Sequence, residues 1–461
     1  MEQPRKQFFT TKSLIILMLP IMLEYLFSQL VGMVDGVMVS SVGEAAISGV
    51  SLVTSFSAVV LNLLAALSGG GTILTSQLIG ANNLKAANRS TGQVITMSVM
   101  VGGGIALVCL CFGRQLLQLV FGDIEQDVLD NATTYFFYDA MSYPLLAICY
   151  AGGAVLRAQK KSKTILYISI LRNLINVSGN AICIHVLKMG VVGVAVPTAV
   201  SRLVGSVILI WIITRKDMPI RPDIKDIIQI NPGMMRRMLA IGIPTAVENS
   251  LFSIGKVMTL GMIAGFGTAH IAANSAANGI AGLVITFSVA VRIGSMNVIG
   301  QCVGARDEKQ INDNFRRLLI MSYIVNAIAA IPAFLFRYQL VSLYTGLSAE
   351  AVSIATDLLA IHMIAGLFLY ATSFYIPAPL RSANDGAFCM LVSIVSMATM
   401  RLSLAWILCV KCGMGAKGVW IAMATDWLCR SICFLWRWYG GYWRKKCGLD
   451  RNSKEISAIE N

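Results

Sequence analysis

Residues 19–50 read LPIMLEYLFSQLVGMVDGVMVSSVGEAAISGV, and residues 241–258 read IGIPTAVENSLFSIGKVM. Laid over one another at an offset of 224 residues, Pro20 and Glu24 fall on Pro244 and Glu248, and Gly43 falls on Gly267. The same offset carries Gly70 to Gly294, and Gln77, Gly80, Ala81 and Lys85 to Gln301, Gly304, Ala305 and Lys309. It still holds at Leu119 and Leu343, at Gly122 and Gly346, and at Leu156-Arg157 and Leu380-Arg381. A register kept without a gap over that length marks an internal duplication rather than chance. Both copies are strongly apolar, so the duplicated unit is a membrane half. The fold class expected is an all-α polytopic membrane protein of two pseudo-symmetric six-helix bundles, with its site between or inside the halves.

Composition agrees. Hydrophobic residues make up 56% of the chain and charged residues 13%, with a mean hydropathy of +0.71, outside the range of a soluble domain. At about 20 residues per spanning helix there is room for twelve spans. They read as 14–42, 50–80, 91–114, 133–157, 163–187 and 191–214, then 237–266, 272–304, 316–338, 353–380, 387–410 and 416–437. The chain divides accordingly into an N-terminal segment 1–13, an N-lobe 14–215, a linker 216–236, a C-lobe 237–440 and a tail 441–461. Six spans per half give both halves the same orientation, related by an axis along the membrane normal.

The net charge of +14 suggests a nucleic-acid partner until its distribution is read. Loops of one parity and both termini hold 26 Lys and Arg, whereas the opposite loops hold five: Arg114, Lys188, Arg337, Lys411 and Lys417. This is the positive-inside bias. It argues for the lipid bilayer as partner and against nucleic acid, and it places segment 1–13, the linker and the tail in the cytoplasm of a cell membrane, expected to be bacterial. The first apolar segment runs on from Leu14 past signal-peptide length, so no cleavable leader is expected. The eleven cysteines lie mostly in apolar segments without a CxxC pair, which points to buried thiols rather than a disulfide framework or zinc site. His185, His270 and His362 are scattered with no metal-ligand spacing. The runs Gly69–Gly71 and Gly102–Gly104 lack the ending of a phosphate loop and read as close helix packing or bending. The linker carries Pro219, Pro222 and Pro232, with a short amphipathic piece at 224–230 expected to lie in the membrane interface. The polar tail from Arg444 is expected to fray.

Charged groups within spans are costly and are functional candidates by default. The first span holds Glu24 and Asp35, eleven residues apart, about 16 Å along one helix face. A transport path running along that face competes with simple solvation of Asp35 near the outer interface. The fifth span sets Asn173, Asn176 and Asn180 on one stripe. Such amides can ligate a hard cation or hydrogen-bond a carboxyl that changes protonation, and they can equally serve as glue between helices. The seventh span repeats the glutamate as Glu248 and adds Asn249 and Lys256, and a buried carboxylate and ammonium are expected to pair or share a network. Asp426 and Arg430 read as an i,i+4 helix ion pair. Gln77 and Gln301 recur with the repeat and are further candidates, while Arg172, Arg202, Arg292 and Arg401 have no partner legible in the sequence. No cluster of catalytic polar groups appears, so an enzyme is not expected.

The first span quoted above, SQLIGANN at 76–83 and LRAQKKS at 156–162 are similar to the multidrug and toxic compound extrusion family. So are IGIPTAVENSLFSIGKVM, GQCVGARDEKQ at 300–310 and LRSANDG at 380–386, and the resemblance covers about residues 12–440. It implies a V-shaped pair of six-helix bundles that exports bulky organic cations in exchange for protons or sodium ions, without a cofactor. It also implies a cation site in the N-lobe, which falls here on Asp35, Asn176, Asn180 and Thr198. The chain departs from the family in having Asn180 where a second acid stands; one carboxylate instead of two weakens a sodium site. Glu248 lies one turn earlier than one branch of the family places its C-lobe acid, and Lys256 stands against a purely cationic cargo.

The reading that follows is a monomeric secondary antiporter exporting amphipathic organic compounds by alternating access, with H+ or Na+ as coupling ion. The alternative is a flippase or exporter of a lipid-linked or anionic metabolite, motivated by the intramembrane cations Arg172, Arg202, Lys256, Arg292 and Arg401.

Overall fold

A computed structural model describes residues 9–122 and 125–449, which are helical and, among the described residues, contain no strand. The first half is built from α1 (Thr11–Ser40), α2 (Glu44–Gly80), α3 (Leu84–Phe121), α4 (Gln126–Met141), α5 (Tyr143–Ala158), α6 (Ser162–Val186) and α7 (Val192–Ile213). After a short α8 (Ile224–Ile228), the second half follows as α9 (Pro232–Ala264), α10 (Thr268–Gly304), α11 (Glu308–Leu335), α12 (Arg337–Ser342), α13 (Ala349–Ser382), α14 (Gly386–Lys411) and α15 (Ala416–Tyr439). A last helix, α16, covers Tyr442–Lys446. Eleven of these are long and apolar enough to span a membrane, and α4 with α5 makes a twelfth span bent by 46°.

The duplication reaches further in the structure than in the residues. Adding 224 to the start of α2, Glu44, gives Thr268, the start of α10, and both helices are 37 residues long. Before each stands a glycine with positive φ, 136° at Gly43 and 95° at Gly267, where a side chain would be strained. The non-helical Phe112 within α3 (φ −123°, ψ 18°) falls on Phe336 (φ −100°, ψ 21°), which parts α11 from α12. Ser142, at the bend between α4 and α5, falls on Gly366, where α13 widens into π-helical turns over Gly366–Tyr375.

The fourth span is therefore not the single segment 133–157 read from the sequence. It begins at Gln126 and breaks at Ser142, because Pro144 at the start of α5 has no N–H to continue the ladder. A buried network fixes the corner: Arg202 on α7 donates to Asp139 at 2.7 Å and to Ser142, while Ser57 on α2 donates to Asp139 and bonds the Tyr143 hydroxyl at 2.9 Å.

The helices pack as two units, one of Leu19–Ala246 and the other of the residues up to Met18 with those from Val247 onward. In the second unit Leu14, Leu17 and Met18 share a core with Val298, Phe315 and Trp438. In the first, Met238 at the start of α9 packs with Leu67, Leu74 and Val94. That approach explains one of the glycine runs, since a Cβ on Gly70 would collide with the Met238 carbonyl.

The linker is strapped down rather than loose. The buried Gln93 of α3 donates to the carbonyls of Asp226 and Gln229, each at 2.7 Å, and accepts from the Asn231 amide at 2.8 Å. Thr96 donates to the Ile227 carbonyl, and Gln93 has room to work because α8 crosses at Gly92, where a Cβ would sit 2.5 Å from the Asp226 oxygen. Ile224, Ile228 and Ile230 stay exposed, the face suited to an interface. The tail corrects the sequence reading up to Leu449. Trp443 is buried and stacks on Trp438 with centroids 5.0 Å apart, and Arg444 pairs with Glu308 at 2.7 Å. The rest of the tail, 450–461, and most of the N-terminal segment, 1–8, lie outside the described residues.

Candidate functional site

In the first half the stripe of α6 meets α1 and α7. Asn180 Nδ2 donates to Asp35 Oδ1 at 2.9 Å, and Asn176 Nδ2 donates to Thr198 Oγ1 at 2.9 Å. Thr198 in turn donates to the Val194 carbonyl one turn back. Asn176 and Asn180 are buried, Asp35 is half-buried, and Asn180 Oδ1 has no hydrogen-bond partner among the described residues. One carboxylate, one orphaned amide oxygen and one hydroxyl thus lie at neighbouring positions on three helices. Just beyond Asn180, α6 widens into a π-helical turn, Ile182–Val186, a distortion found often at functional sites. Asn173 does not join; its amide nitrogen is buried and unbonded among the described residues.

Glu24 and Glu248, the repeated glutamates, each face a repeated arginine across a cavity. Arg157 of α5 lies 3.4 Å from Glu24 in a cavity of ≈ 220 Å³ that Tyr25, Tyr150 and Arg172 also line. Arg172 Nε is buried without a partner among the described residues. In the second half Arg381 of α13 donates to Glu248, and Arg430 of α15 donates to its other oxygen at 2.5 Å. Their cavity of ≈ 170 Å³ is further lined by Asn249, Phe252, Arg292, Tyr370 and Phe374. Eight lining positions of the two cavities correspond at the offset of 224: Glu24 and Glu248, Tyr25 and Asn249, Ser28 and Phe252, Leu146 and Tyr370, Cys149 and Ser373, Tyr150 and Phe374, Gly153 and Pro377, Arg157 and Arg381.

Two pairings expected from the sequence are corrected. Glu248 does not pair with Lys256, because two guanidiniums on α13 and α15 take both its oxygens. Lys256 points over the Phe252 ring at 5.5 Å and makes no ion pair with a described residue. Nor does Asp426 pair with Arg430 along α15. Arg430 turns to Glu248, and Asp426, fully buried, has Arg401 of α14 as its ion partner at 3.8 Å. A pair along one helix is worth only about 0.2–0.5 kcal/mol in any case, too little to compete with a carboxylate shared by two guanidiniums.

The remaining candidates separate. Arg202 belongs to the structural corner with Asp139, a buried carboxylate inside the fourth span. Gln77 and Gln301 are buried at the C-terminal ends of α2 and α10 and line neither cavity. Arg157 and Arg381 read as loop cations, although the repeat held the clue: each follows its glutamate by the same interval.

Comparison with known proteins places this architecture. A family profile described as MatE matches twice, over residues 20–182 and 244–407, one copy in each half. Among curated relatives, "Probable multidrug resistance protein NorM" of Thermotoga maritima is 26% identical over 450 residues, covering 95% of this chain and 94% of that protein. "Uncharacterized transporter YisQ" of Bacillus subtilis is 24% identical over 446 residues, covering 95% and 96%. Of solved structures, a MATE in complex with MaL6 superposes with a TM-score of 0.88 at 20% identity, covering 94% of this chain and 97% of that one. A MOP superfamily transporter from Pyrococcus furiosus, described by the reverse polarity of its binding pocket, superposes with a TM-score of 0.87 at 19% identity, covering 96% and 97%. Two matches that together span most of the chain, one in each copy of a twelve-span duplicated fold, mean that the chain belongs to the MatE family of multi-pass secondary transporters that export small molecules, drugs and toxins among them.

Proposed function

We propose that this transporter exchanges amphipathic organic compounds for protons or sodium ions across the cell membrane, and that the coupling ion binds at Asp35. The observation that carries the reading is the Asp35–Asn180 hydrogen bond with Asn180 Oδ1 left over. With Asp35 ionised, the amide donates to it. A proton on Asp35, or a sodium ion beside it, gives the idle amide oxygen something to bind. Adding the ion therefore changes the bonding between α1 and α6, and an ion that binds one arrangement better than another shifts the balance between them. Export is coupled if ion and cargo favour opposite arrangements or exclude each other. Asn176 on α6 and Thr198 on α7 supply two further oxygens for a sodium ion. The basic residues of the termini and linker support a cytoplasmic placement for both ends.

The test is counterflow in proteoliposomes, with an imposed proton gradient and then an imposed sodium gradient, using one fluorescent organic cation and one fluorescent organic anion. Asp35→Asn is expected to remain folded, because an amide can still accept from Asn180, yet to lose gradient-driven export of whichever dye the wild type moves. Full export by that variant at equal protein content removes Asp35 from the role.

A second reading concerns the charge of the cargo. The sequence favours organic cations through the family resemblance, but Lys256 and Arg292 make no ion pair among the described residues and favour an anionic cargo. The Pyrococcus furiosus transporter, described by its pocket of reverse polarity, is a structural precedent for such a departure.

A further inference from the structure

We propose that the cavity of the second half is a binding site for the acidic group of an amphipathic organic anion, a carboxylate or phosphate held by Arg292 beside Arg381 and Arg430. The proposal rests on the export reading only in taking this ligand to be cargo.

The duplication supplies the argument. The arrangement common to both halves is one glutamate and one arginine, Glu24 with Arg157 and Glu248 with Arg381, which together carry no net charge. To that common pair the second half adds Arg430 and Arg292, whose counterparts at the offset of 224 are Ser206 and Ser68, whereas the first half adds Arg172 alone, whose counterpart is Ser396. The second-half cavity is therefore lined by three guanidiniums and one carboxylate, an excess of two positive charges. Glu248 cannot absorb that excess. Its two oxygens are taken by Arg381 and Arg430, and both of those buried side chains keep an Nε without a partner among the described residues. Arg292, half-buried on α10, makes no side-chain hydrogen bond or ion pair with any described residue. Lys256 and Arg401 add positive charge behind the wall, standing 5.5 Å and 4.6 Å from the Phe252 ring. Asp426 answers Arg401 alone.

Unpaired cations inside a membrane are costly and persist where they serve a ligand or a path. Guanidinium is the cation suited to planar, two-pronged recognition of carboxylate and phosphate. The second half has also exchanged Ser28 and Leu146 of the first for Phe252 and Tyr370. Tyr370 and Phe374 stack at 4.6 Å and form an aromatic wall for the ligand's apolar part. At ≈ 170 Å³ the cavity is smaller than the roughly 300–1,000 Å³ of drug-sized sites, so it takes an acidic headgroup or a single-ring acid rather than a whole bulky molecule.

Calorimetric titration of the full chain in neutral detergent, with no ion gradient, tests this. The probes are benzoate, phenyl phosphate, benzylammonium and dihexanoyl phosphatidate. The anions are expected to bind at least tenfold more tightly than benzylammonium. Arg292→Gln, which leaves no buried partner behind, is expected to weaken anion binding about tenfold without lowering the melting temperature, and Arg292→Glu to reverse the preference toward benzylammonium. Tighter binding of the phosphatidate than of phenyl phosphate, lost in Arg292→Gln, assigns the site to a lipid headgroup; the opposite order assigns it to a soluble acid. Equal binding of anions and benzylammonium by the wild type, a measurement that needs no variant, overturns the proposal, as does an anion preference untouched by Arg292→Gln. Because no gradient is involved, failure here leaves Asp35 coupling intact, and failure of Asp35-dependent export leaves this site intact.

Discussion

Glu248→Gln should destabilise this protein far more than Glu24→Gln, although the two glutamates are copies of one residue. Among the described residues, Glu248 is the only carboxylate that pairs with Arg381 and Arg430, whose side chains are 4% and 2% exposed. Removing it leaves two guanidiniums with no counter-charge in a site that water hardly reaches. Breaking a buried pair by deleting one partner costs about 3–5 kcal/mol. Glu24 faces a single arginine at 3.4 Å, with side-chain exposures of 17% and 12%, so water can replace part of what is lost and the cost falls to about 1–2 kcal/mol. A gap of about 2–3 kcal/mol corresponds to roughly 30- to 160-fold in an unfolding equilibrium. Unfolding of membrane proteins in detergent is often irreversible, so the comparison is best made as inactivation half-life and apparent melting temperature at one scan rate. A second substitution sharpens it. Arg430→Met placed on top of Glu248→Gln removes one of the stranded cations and should recover part of the loss, whereas Arg430→Met alone should not stabilise. Equal stabilities for the two Glu→Gln variants, or no recovery in the double variant, would refute the reasoning.

Two other outcomes follow from particular contacts. Asn180→Asp puts a second carboxylate where an amide now donates to Asp35 at 2.9 Å, so it should destabilise the protein in choline chloride and gain more thermal protection from sodium chloride than the wild type does; identical salt responses would count against a cation position there. Gly92→Val drives a side chain into the Asp226 backbone and should undock α8, raising trypsin cleavage at Arg221 and Lys225, and unchanged cleavage would show that the strap does not depend on that approach.

The twelve spans and their duplication were legible because burial in lipid writes a long apolar run for every helix, and the repeat kept glycines and prolines at one register. The meeting of Asp35 with Asn180 was legible only through resemblance; 145 residues separate them, and no periodicity connects two helices. The ion pairs were misread for a related reason. Sequence favours partners on one helix, such as Asp426 with Arg430, whereas three-dimensional packing gave Arg430 a glutamate 182 residues away. Yet the duplication contained a usable signal. Glutamate and arginine recur together, 133 residues apart in each copy, and a pair that recurs with its spacing intact is a contact before it is anything else. The same logic runs in reverse for function. Positions that stayed alike, Glu24 with Arg157 and Glu248 with Arg381, hold each half together, and selection on packing alone would keep both halves alike. Where the copies part, serine against Arg292 and serine against Arg430, the second half has taken on two positive charges that Glu248 does not balance, against one in the first half, where Arg172 joins Glu24 and Arg157, and that asymmetry is what a cargo site in one half requires.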